Sequence, residues 1–316
     1  MTENKKRLLT GIKPTAETLH LGNYFGALKP FLDMYGEYES FLMLADYHAL
    51  TTVRNGETLR HNSYEVVRDY LAAGFDPKKA ILFQQSAIGV HPELAWIFEC
   101  LVTVPFLMMA HAYKDKVSKG EEANTGLFNY PMLMAADILL YDTDIVPVGE
   151  DQRQHVEYAR EAASKFNKAY GQTFKEPQER ILKEVAIVPG TDGRKMSKSY
   201  GNVIPLFGTK DAITKAVMSI VTDSSGGRPV NVYSIHKLFK TEEELAPLYE
   251  ENSGKYKLLK DALVEDIEKM IAPMRERRAG VSDEEVKDIL KDGTEKARAI
   301  AEAKMKDVRA KIGVTL

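Results

Sequence analysis

Two short segments carry side chains suited to holding phosphate. The first, Thr18 to Asn23, places His20 and Asn23 around Gly22, where a strand gives way to a predicted helix. The free amides of a helix N-terminus attract anions, and an imidazole can donate to a phosphate oxygen. Alone this pattern is weak, because a capped helix start with a surface histidine has the same sequence.

The second segment, Lys195 to Ser199, is far more specific. Its two lysines, with a hydroxyl between them, can neutralise charge that gathers on a pyrophosphate leaving group. Gly190 and Gly193 give the chain before it the backbone freedom of a loop that closes. A third segment, Gly149 to Gln152, follows an apolar run and precedes a helix, where a nucleotide ribose is commonly held. Together the three segments predict an ATP site.

Length and composition are those of a globular protein of about two domains, with 316 residues, 44% of them hydrophobic and 28% charged. No apolar run approaches the roughly 20 residues that span a bilayer, and residues 1–7 are polar. We therefore expect a cytoplasmic protein with no membrane partner. The single cysteine, Cys100, excludes a disulfide within the chain and is predicted to be a buried, inert thiol. The histidines show no metal-ligand spacing, so no metal site is predicted.

The charge pattern does not indicate a polyanionic partner. The net charge is −3, so any contact with nucleic acid must use a local basic surface. Two basic stretches stand out: the cluster Arg275, Arg277 and Arg278, and the segment from Lys287 to Lys311. Both are interpreted as solvated helix faces.

The first part of the chain alternates strands with helices. Strands are predicted at 7–10, 41–45 and 81–84, and helices at 23–35 and 57–73. This order predicts an α/β fold with a doubly wound parallel sheet of the Rossmann type, covered on both faces, with ligands at the carboxyl ends of the strands. His48 follows the second strand at that edge and is a candidate for the pocket.

Consecutive helices at 91–141 form a predicted insertion between the two halves of the sheet. Trp96, Phe98, Leu101, Phe106 and Leu107 are candidates for a buried or dimerising face, with Trp96 predicted in the core. The second half resumes with a strand at 144–148, a helix at 152–166 in which His155 is predicted to pack, and a strand at 185–188. An all-α domain follows, with helices at 242–251, 256–278 and 283–311 and with Gly280 and Gly293 as helix stops.

These motifs resemble a known family. His20 to Asn23 and Lys195 to Ser199 resemble the two signatures of class I aminoacyl-tRNA synthetases. Residues 130–139 and 146–152 resemble patterns of the bacterial-type tryptophanyl-tRNA synthetases, and the similarity covers nearly all of residues 7–205. The resemblance implies a catalytic domain over 1–205 and a helical anticodon-binding domain over 206–316. It also implies ATP with Mg²⁺, L-tryptophan and tRNA(Trp) as partners, and a homodimer; with one cysteine, neither zinc nor an iron–sulfur cluster is expected.

The resemblance also assigns roles to individual residues. Catalysis falls to His20, Asn23, Lys116, Lys195 and Lys198. ATP binding falls to Lys13, Pro14, Thr15, Gly22, Asn23, Gly149, Glu150, Asp151, Ile187, Lys195, Met196, Ser197, Lys198 and Ser199. Tryptophan binding falls to His48, Tyr130, Met134, Asp137, Val146, Val148 and Gln152. His20 and Lys13 stand where many relatives carry threonine and glutamine, which implies a more cationic phosphate end than is common.

Asp137 decides which amino acid is expected. A carboxylate beside Met134 in an apolar pocket can accept the indole N–H, and a ring without that donor leaves a buried charge unpaired. The tyrosine enzymes typically carry a glutamine at the position of Met134. The residues alone are equally consistent with an aspartate that pairs with a surface lysine. Three alternatives stay open: the same reaction with tyrosine, a synthetase-like binder that charges nothing, and a small-molecule adenylyltransferase.

Overall fold

The computed structural model describes residues 5–15, 19–120, 122–149, 153–181, 188–222 and 228–315, apart from the side chains of Ala112 and Ile181. Several predicted features therefore lie outside the described residues: Thr18, Glu150, Asp151, Gln152, Ile187 and all but the last residue of the strand predicted at 185–188.

A five-stranded parallel sheet forms the centre of the molecule. Its strands are β1 (Arg7–Ile12), β2 (Glu39–Leu44), β3 (Ala80–Gln84), β4 (Ile145–Val148) and β5 (Gln178–Ile181). The spatial order is β3-β2-β1-β4-β5, so the chain builds one half outward from β1 and then returns to build the other half. The strand order reverses between β1 and β4, and in such sheets ligands bind at the carboxyl ends of the strands beside that point. The predicted Rossmann-type α/β fold is confirmed.

Helices cover the sheet and continue to the end of the chain. They are α1 (Leu21–Asn23), α2 (Lys29–Met34), α3 (Asp46–Ala49), α4 (Gly56–Ala72), α5 (Val90–Glu99), α6 (Val104–Leu107), α7 (His111–Ser118), α8 (Thr125–Leu139), α9 (Arg153–Tyr170), α10 (Lys210–Met218), α11 (Val230–His236), α12 (Glu242–Glu251), α13 (Tyr256–Gly280) and α14 (Asp283–Ile312). The predicted helix at 23–35 begins two residues earlier and contains a π-helical turn at Tyr24–Leu28. None of the described helices is long and apolar enough to cross a bilayer.

Alternate residues of the central strands feed two separate hydrophobic cores. Leu8 and Leu42 face the core that also holds α4 and residues of α10 to α13. Leu9 and Phe41 face the opposite core, which is built with α5, α8 and α9. Strict alternation follows because successive side chains of a strand point to opposite faces. Both faces are thus buried, as a parallel sheet requires.

The last helix, α14, crosses the β3 edge of the sheet. Val286 near its start belongs to the first core, whereas Ala297 belongs to the second. At the crossing, a Cβ on Gly293 would lie 1.8 Å from the carbonyl oxygen of Leu82. Gly293 therefore permits a close approach between helix and strand, and the prediction that it stops a helix is wrong. Gly280 does end α13, as predicted.

The basic stretches of the C-terminal helices are not purely solvated faces. Arg278 pairs with Asp69 at 2.6 Å and with Glu65 at 2.5 Å, both on α4. Arg277 donates to the Ala72 carbonyl oxygen. On α14, Arg309 likewise pairs with Glu93 of α5. These cations attach the C-terminal helices to the sheet domain, so the solvated interpretation is wrong for them.

Two local predictions also fail, and one strand was not predicted. Trp96 is 66% exposed rather than in the core, while Phe98 and Leu107 of the same predicted face are buried. Cys100 is exposed, not a buried thiol. The strand β5 was not predicted, because its sequence, Gln-Glu-Arg-Ile, lacks the apolar run that marks a buried strand.

Candidate active site

The turn that bears His20 is a reciprocal helix cap. The Asn23 backbone N–H donates to His20 Nδ1 at 3.3 Å, and the His20 backbone N–H donates to Asn23 Oδ1 at 3.1 Å. These bonds satisfy two of the donors that a helix start leaves free. A Cβ on Gly22 would lie 2.9 Å from the His20 ring and 3.2 Å from Met196 Cβ. The glycine is therefore needed where the ring and the distant loop close over this turn.

The structure corrects the expected charge of this turn. Burial, helped by the positive charge of Lys198, lowers the pKa of His20 to about 4. His20 is therefore neutral at pH 7, and it does not make the phosphate end more cationic in the free protein. Because Nδ1 accepts from Asn23, the ring keeps its Nε2–H as a donor.

The loop of Lys195 to Ser199 lies directly against this turn. Met196 is buried, and its Sδ lies 3.2 Å from the backbone nitrogen of Gly22. Lys195 and Lys198 on either side of it are exposed. Met196 thus anchors the loop in the core while the two ammonium groups stay free to reach a ligand.

A buried asparagine holds the same loop from behind. Asn202 accepts from the Ser197 backbone N–H at 2.8 Å and donates to the Lys195 carbonyl oxygen at 3.1 Å. A Cβ on Gly190 would lie 2.2 Å from Asn202 Nδ2, so Gly190 serves close approach to Asn202 rather than loop freedom. Gly193, at φ +82°, does use a backbone conformation that favours glycine. Asn202 was not predicted as a functional residue, although it lies only three residues after Ser199.

A cavity of about 620 Å³ opens at the carboxyl ends of β1 and β4, where the strand order reverses. The predicted residues that line it are Lys13, His48, Tyr130, Met134, Asp137, Val146, Val148 and Gly149. Gly26 and Ala27, which follow the His20 turn, also line it. Pro14, Thr15, Lys116, the turn itself and the loop of Lys195 to Ser199 are not among the described lining residues.

Asp137 sits at the cavity wall with almost no exposed surface, 1%. His48 Nε2 donates to its Oδ2 at 2.7 Å, and His91 Nδ1 donates to its Oδ1 at 2.6 Å. Burial would raise the pKa of this carboxyl, but the hydrogen bonds from the two histidines prevail and lower it to about 2. The carboxylate is therefore ionised and held inside the protein, which excludes the alternative of a pair with a surface lysine.

Tyr130 lies on the same cavity and contacts two other groups that line it. Its Oη lies 3.0 Å from His155 Nε2, and Lys13 Nζ lies 5.7 Å from the centroid of its ring. Burial raises the pKa of Tyr130 to about 12, so the hydroxyl stays protonated. His155 is buried, as predicted, yet it also lines the cavity, which its position on a helix could not show.

The cavity combines a largely apolar lining with the polar groups of Asp137, Lys13 and Tyr130, so it can hold an amphipathic ligand. No group of three potential metal ligands occurs among the residues that the structure describes.

Comparison with known proteins identifies the family. A family model described as class I tRNA synthetases (W and Y) matches residues 1–297. A tryptophan–tRNA ligase of Fusobacterium nucleatum is 45% identical over 320 residues, with 98% of each chain covered. This chain belongs to the tryptophanyl-tRNA synthetases.

Solved structures of tryptophanyl-tRNA synthetases share the whole fold. The Campylobacter jejuni enzyme, complexed with ADP and tryptophan, superposes with a TM-score of 0.91 at 43% identity, covering 97% of this chain and 99% of that one. The Mycoplasma pneumoniae enzyme superposes with a TM-score of 0.82 at 30% identity, covering 98% of each chain. The resemblance inferred from the motifs is confirmed over the full length.

Proposed function

We propose that the cavity binds tryptophan with its indole ring toward Asp137, and that ATP binds between this cavity and the His20 turn. As a tryptophanyl-tRNA synthetase the chain is a tryptophan–tRNA ligase, and the proposal concerns which residues do the work. The observation that carries it is the ionised, buried carboxylate of Asp137 on the wall of an otherwise largely apolar cavity. Such a group favours a ligand that brings an N–H donor.

In the first step the tryptophan carboxylate attacks the α-phosphorus of ATP. A bond forms from a carboxylate oxygen to phosphorus, the bond to the bridging oxygen breaks, and pyrophosphate leaves, giving tryptophanyl-adenylate. The nucleophile arrives ionised, so no proton needs to move, and catalysis consists of positioning and charge stabilisation. Mg²⁺ enters with the triphosphate as part of the substrate and neutralises charge on it.

We assign charge stabilisation to Lys195 and Lys198, with Lys116 joining once ATP is bound. The exposure of Lys195 and Lys198 beside the His20 turn supports this role, because exposed ammonium groups can close on a ligand. Asn23 and Gly22 present the helix start to ATP, and His20 offers its Nε2–H. Residues 149–151 would hold the ribose of ATP. The side chains of Gln152 and Tyr130 would hold the ammonium group of tryptophan.

In the second step a hydroxyl of the terminal ribose of tRNA(Trp) attacks the acyl carbon and AMP leaves. We assign anticodon contact to the helices of residues 206–316 and place the enzyme in the cytoplasm, where tRNA is charged. We further propose a homodimer through α5 and α6. Trp96, Val104, Met108 and Met109 on and just after these helices are each at least 48% exposed, which favours burial against a second copy.

The decisive experiment is amino-acid-dependent exchange of labelled pyrophosphate into ATP. Exchange with tryptophan but not tyrosine is expected, followed by charging of tRNA(Trp). Exchange with tyrosine instead would show that tyrosine is the amino acid activated. No exchange with either amino acid would indicate a protein that binds without catalysing the reaction. Exchange without tRNA charging would point to a small-molecule adenylyltransferase.

A further inference from the structure

A network of buried polar groups is hydrogen-bonded to Asp137 and takes no direct part in the proposed reaction. His91 is completely buried, and its Nε2 lies 2.9 Å from the hydroxyl of Tyr141. Gln85 Nε2 bridges both oxygens of Asp137, at 2.9 and 3.0 Å. Neither His91, Tyr141 nor Gln85 is among the described residues that line the cavity. These groups therefore reach the carboxylate only from inside the protein.

The direction of the hydrogen bonds follows from the carboxylate. Because Asp137 is ionised it can only accept, so His91 Nδ1–H donates to it. With the Nδ1 proton directed at Asp137, Nε2 faces the hydroxyl of Tyr141 and is placed to accept from it. Burial raises the pKa of Tyr141, which keeps that hydroxyl protonated and able to donate. The order is thus Tyr141 to His91 to Asp137.

Aromatic packing holds the rings of His91 and Tyr141 in place. The His91 ring lies 6.2 Å from the Phe83 ring at 23° and 5.7 Å from the Tyr141 ring. The rings of Phe41, on β2, and Phe83, on β3, have centroids within 5.2 Å of that of Tyr141. The hydrogen-bond donors to Asp137 are therefore held by the sheet itself, and the carboxylate cannot turn without breaking them.

The hydrogen bonds to Asp137 fix the orientation of its carboxylate. His48 donates to Oδ2, His91 donates to Oδ1, and Gln85 Nε2 is shared between both oxygens. Asp137 is otherwise buried but lines the cavity, so a donor on a ligand reaches its carboxylate from the cavity side.

We propose that His91, backed by Tyr141, is a positioning residue that orients Asp137 so that its carboxylate faces the ring N–H of the substrate. The inference rests on the proposed contact between Asp137 and that N–H. His91 and Tyr141 thereby set selectivity for an N–H-bearing ring without touching it.

The test compares tryptophan with its benzothienyl analogue, in which sulfur replaces the ring N–H. The selectivity is the ratio of kcat/KM for the two amino acids in pyrophosphate exchange. Tyr141→Phe removes one hydroxyl and keeps the ring, and we expect it to lower this ratio roughly three- to tenfold, the effect of one hydrogen bond. The KM for tryptophan should rise while the KM for ATP stays unchanged, which a general loss of structure would not produce.

The chain offers a matched control. Tyr249 lies 3.0 Å from His236, which in turn lies 3.0 Å from Asp266, an equivalent arrangement among the C-terminal helices. Tyr249→Phe should leave the ratio unchanged. His91→Gln, whose amide can still donate to Asp137, serves as a second variant and should keep part of the selectivity.

The outcomes separate this inference from the proposed function. Equal ratios for wild type and a folded Tyr141→Phe variant would overturn the positioning role alone. Wild-type protein that uses both amino acids equally would refute the contact between Asp137 and the ring N–H, and the positioning role with it. Absence of any exchange in wild type would instead refute the activity.

Discussion

The backbone nitrogen of Gly22 lies 3.2 Å from Sδ of Met196, although 174 residues separate the two in the chain. Each belongs to one of the two segments that predicted phosphate binding. The contact places the helix start directly against the loop of Lys195 to Ser199. This proximity supports the proposal that both segments act on one phosphate group.

Lys198→Ala should slow amino-acid activation about 100-fold or more, because the role proposed for this lysine is to stabilise charge on the leaving pyrophosphate. Tryptophan binding should change little, since the lysine lies outside the cavity lining. Pyrophosphate exchange measures the first effect and equilibrium dialysis the second. Arg194→Ala is the control, because Arg194 is a cation of the same loop that pairs with Asp192. Equal losses in both variants would refute a specific role for Lys198.

His20 should make the folded protein less stable as the pH falls below 6.5. Its folded pKa, about 4, lies below the ordinary value of 6.5, so the unfolded chain binds the proton more readily. The stabilisation is complete above 6.5 and is lost as the pH falls toward 4, by about 2 kcal/mol between pH 7 and pH 5. Urea unfolding of wild type and His20→Asn at several pH values isolates this contribution. Parallel curves for the two proteins would contradict it.

Gly293→Ala should lower the free energy of unfolding by about 1 to 3 kcal/mol. The added methyl group would meet the Leu82 carbonyl oxygen and push α14 from the sheet edge. Gly280→Ala, at the end of α13, is the matched control because its methyl group would meet nothing within 4 Å. It should leave stability unchanged or slightly higher, since alanine favours a helix over glycine. Denaturant unfolding measures both, and equal values would contradict the crossing contact.

Arg278→Met should destabilise the protein by about 3 kcal/mol, because it leaves the buried carboxyl of Asp69 without its cation. Asp69 also accepts from the Leu19 backbone N–H, next to His20, at 3.3 Å. Exchange activity should therefore fall together with stability. Arg275→Met is the control, since the ion pair of Arg275 within the described residues joins it to Glu268 on its own helix, and the change should cost under about 1 kcal/mol. A stability loss as large in the control would refute the link between α13 and α4.

Local patterns predicted the order of most elements and the family, for physical reasons that the structure makes plain. Strand ends converge at one edge, so residues such as His48 and Val148 could be placed near each other from the element order alone. Met134 and Asp137 came from the resemblance, and their roles stay predictions. The two segments predicted to bind phosphate were recognised because the residues that matter for this chemistry are adjacent in the sequence.

What could not be predicted depends on distant packing. Gln85 and His91 contact Asp137 across 52 and 46 residues, and nothing in their own surroundings marks them. Gly293 looks like a helix stop until the strand it touches is known. Trp96 is large and apolar, as core residues often are, and only the tertiary structure shows that its side chain is exposed.

The crossing of α14 over the β3 edge has a consequence for folding of the chain. Residues of α14 belong to both hydrophobic cores, so neither core is complete until this helix has docked. The outer strand also has its backbone screened by this helix, which leaves that border of the sheet no room to recruit a strand from another molecule. A single thirty-residue helix thus completes the interior on both faces of the sheet and shields one of its borders.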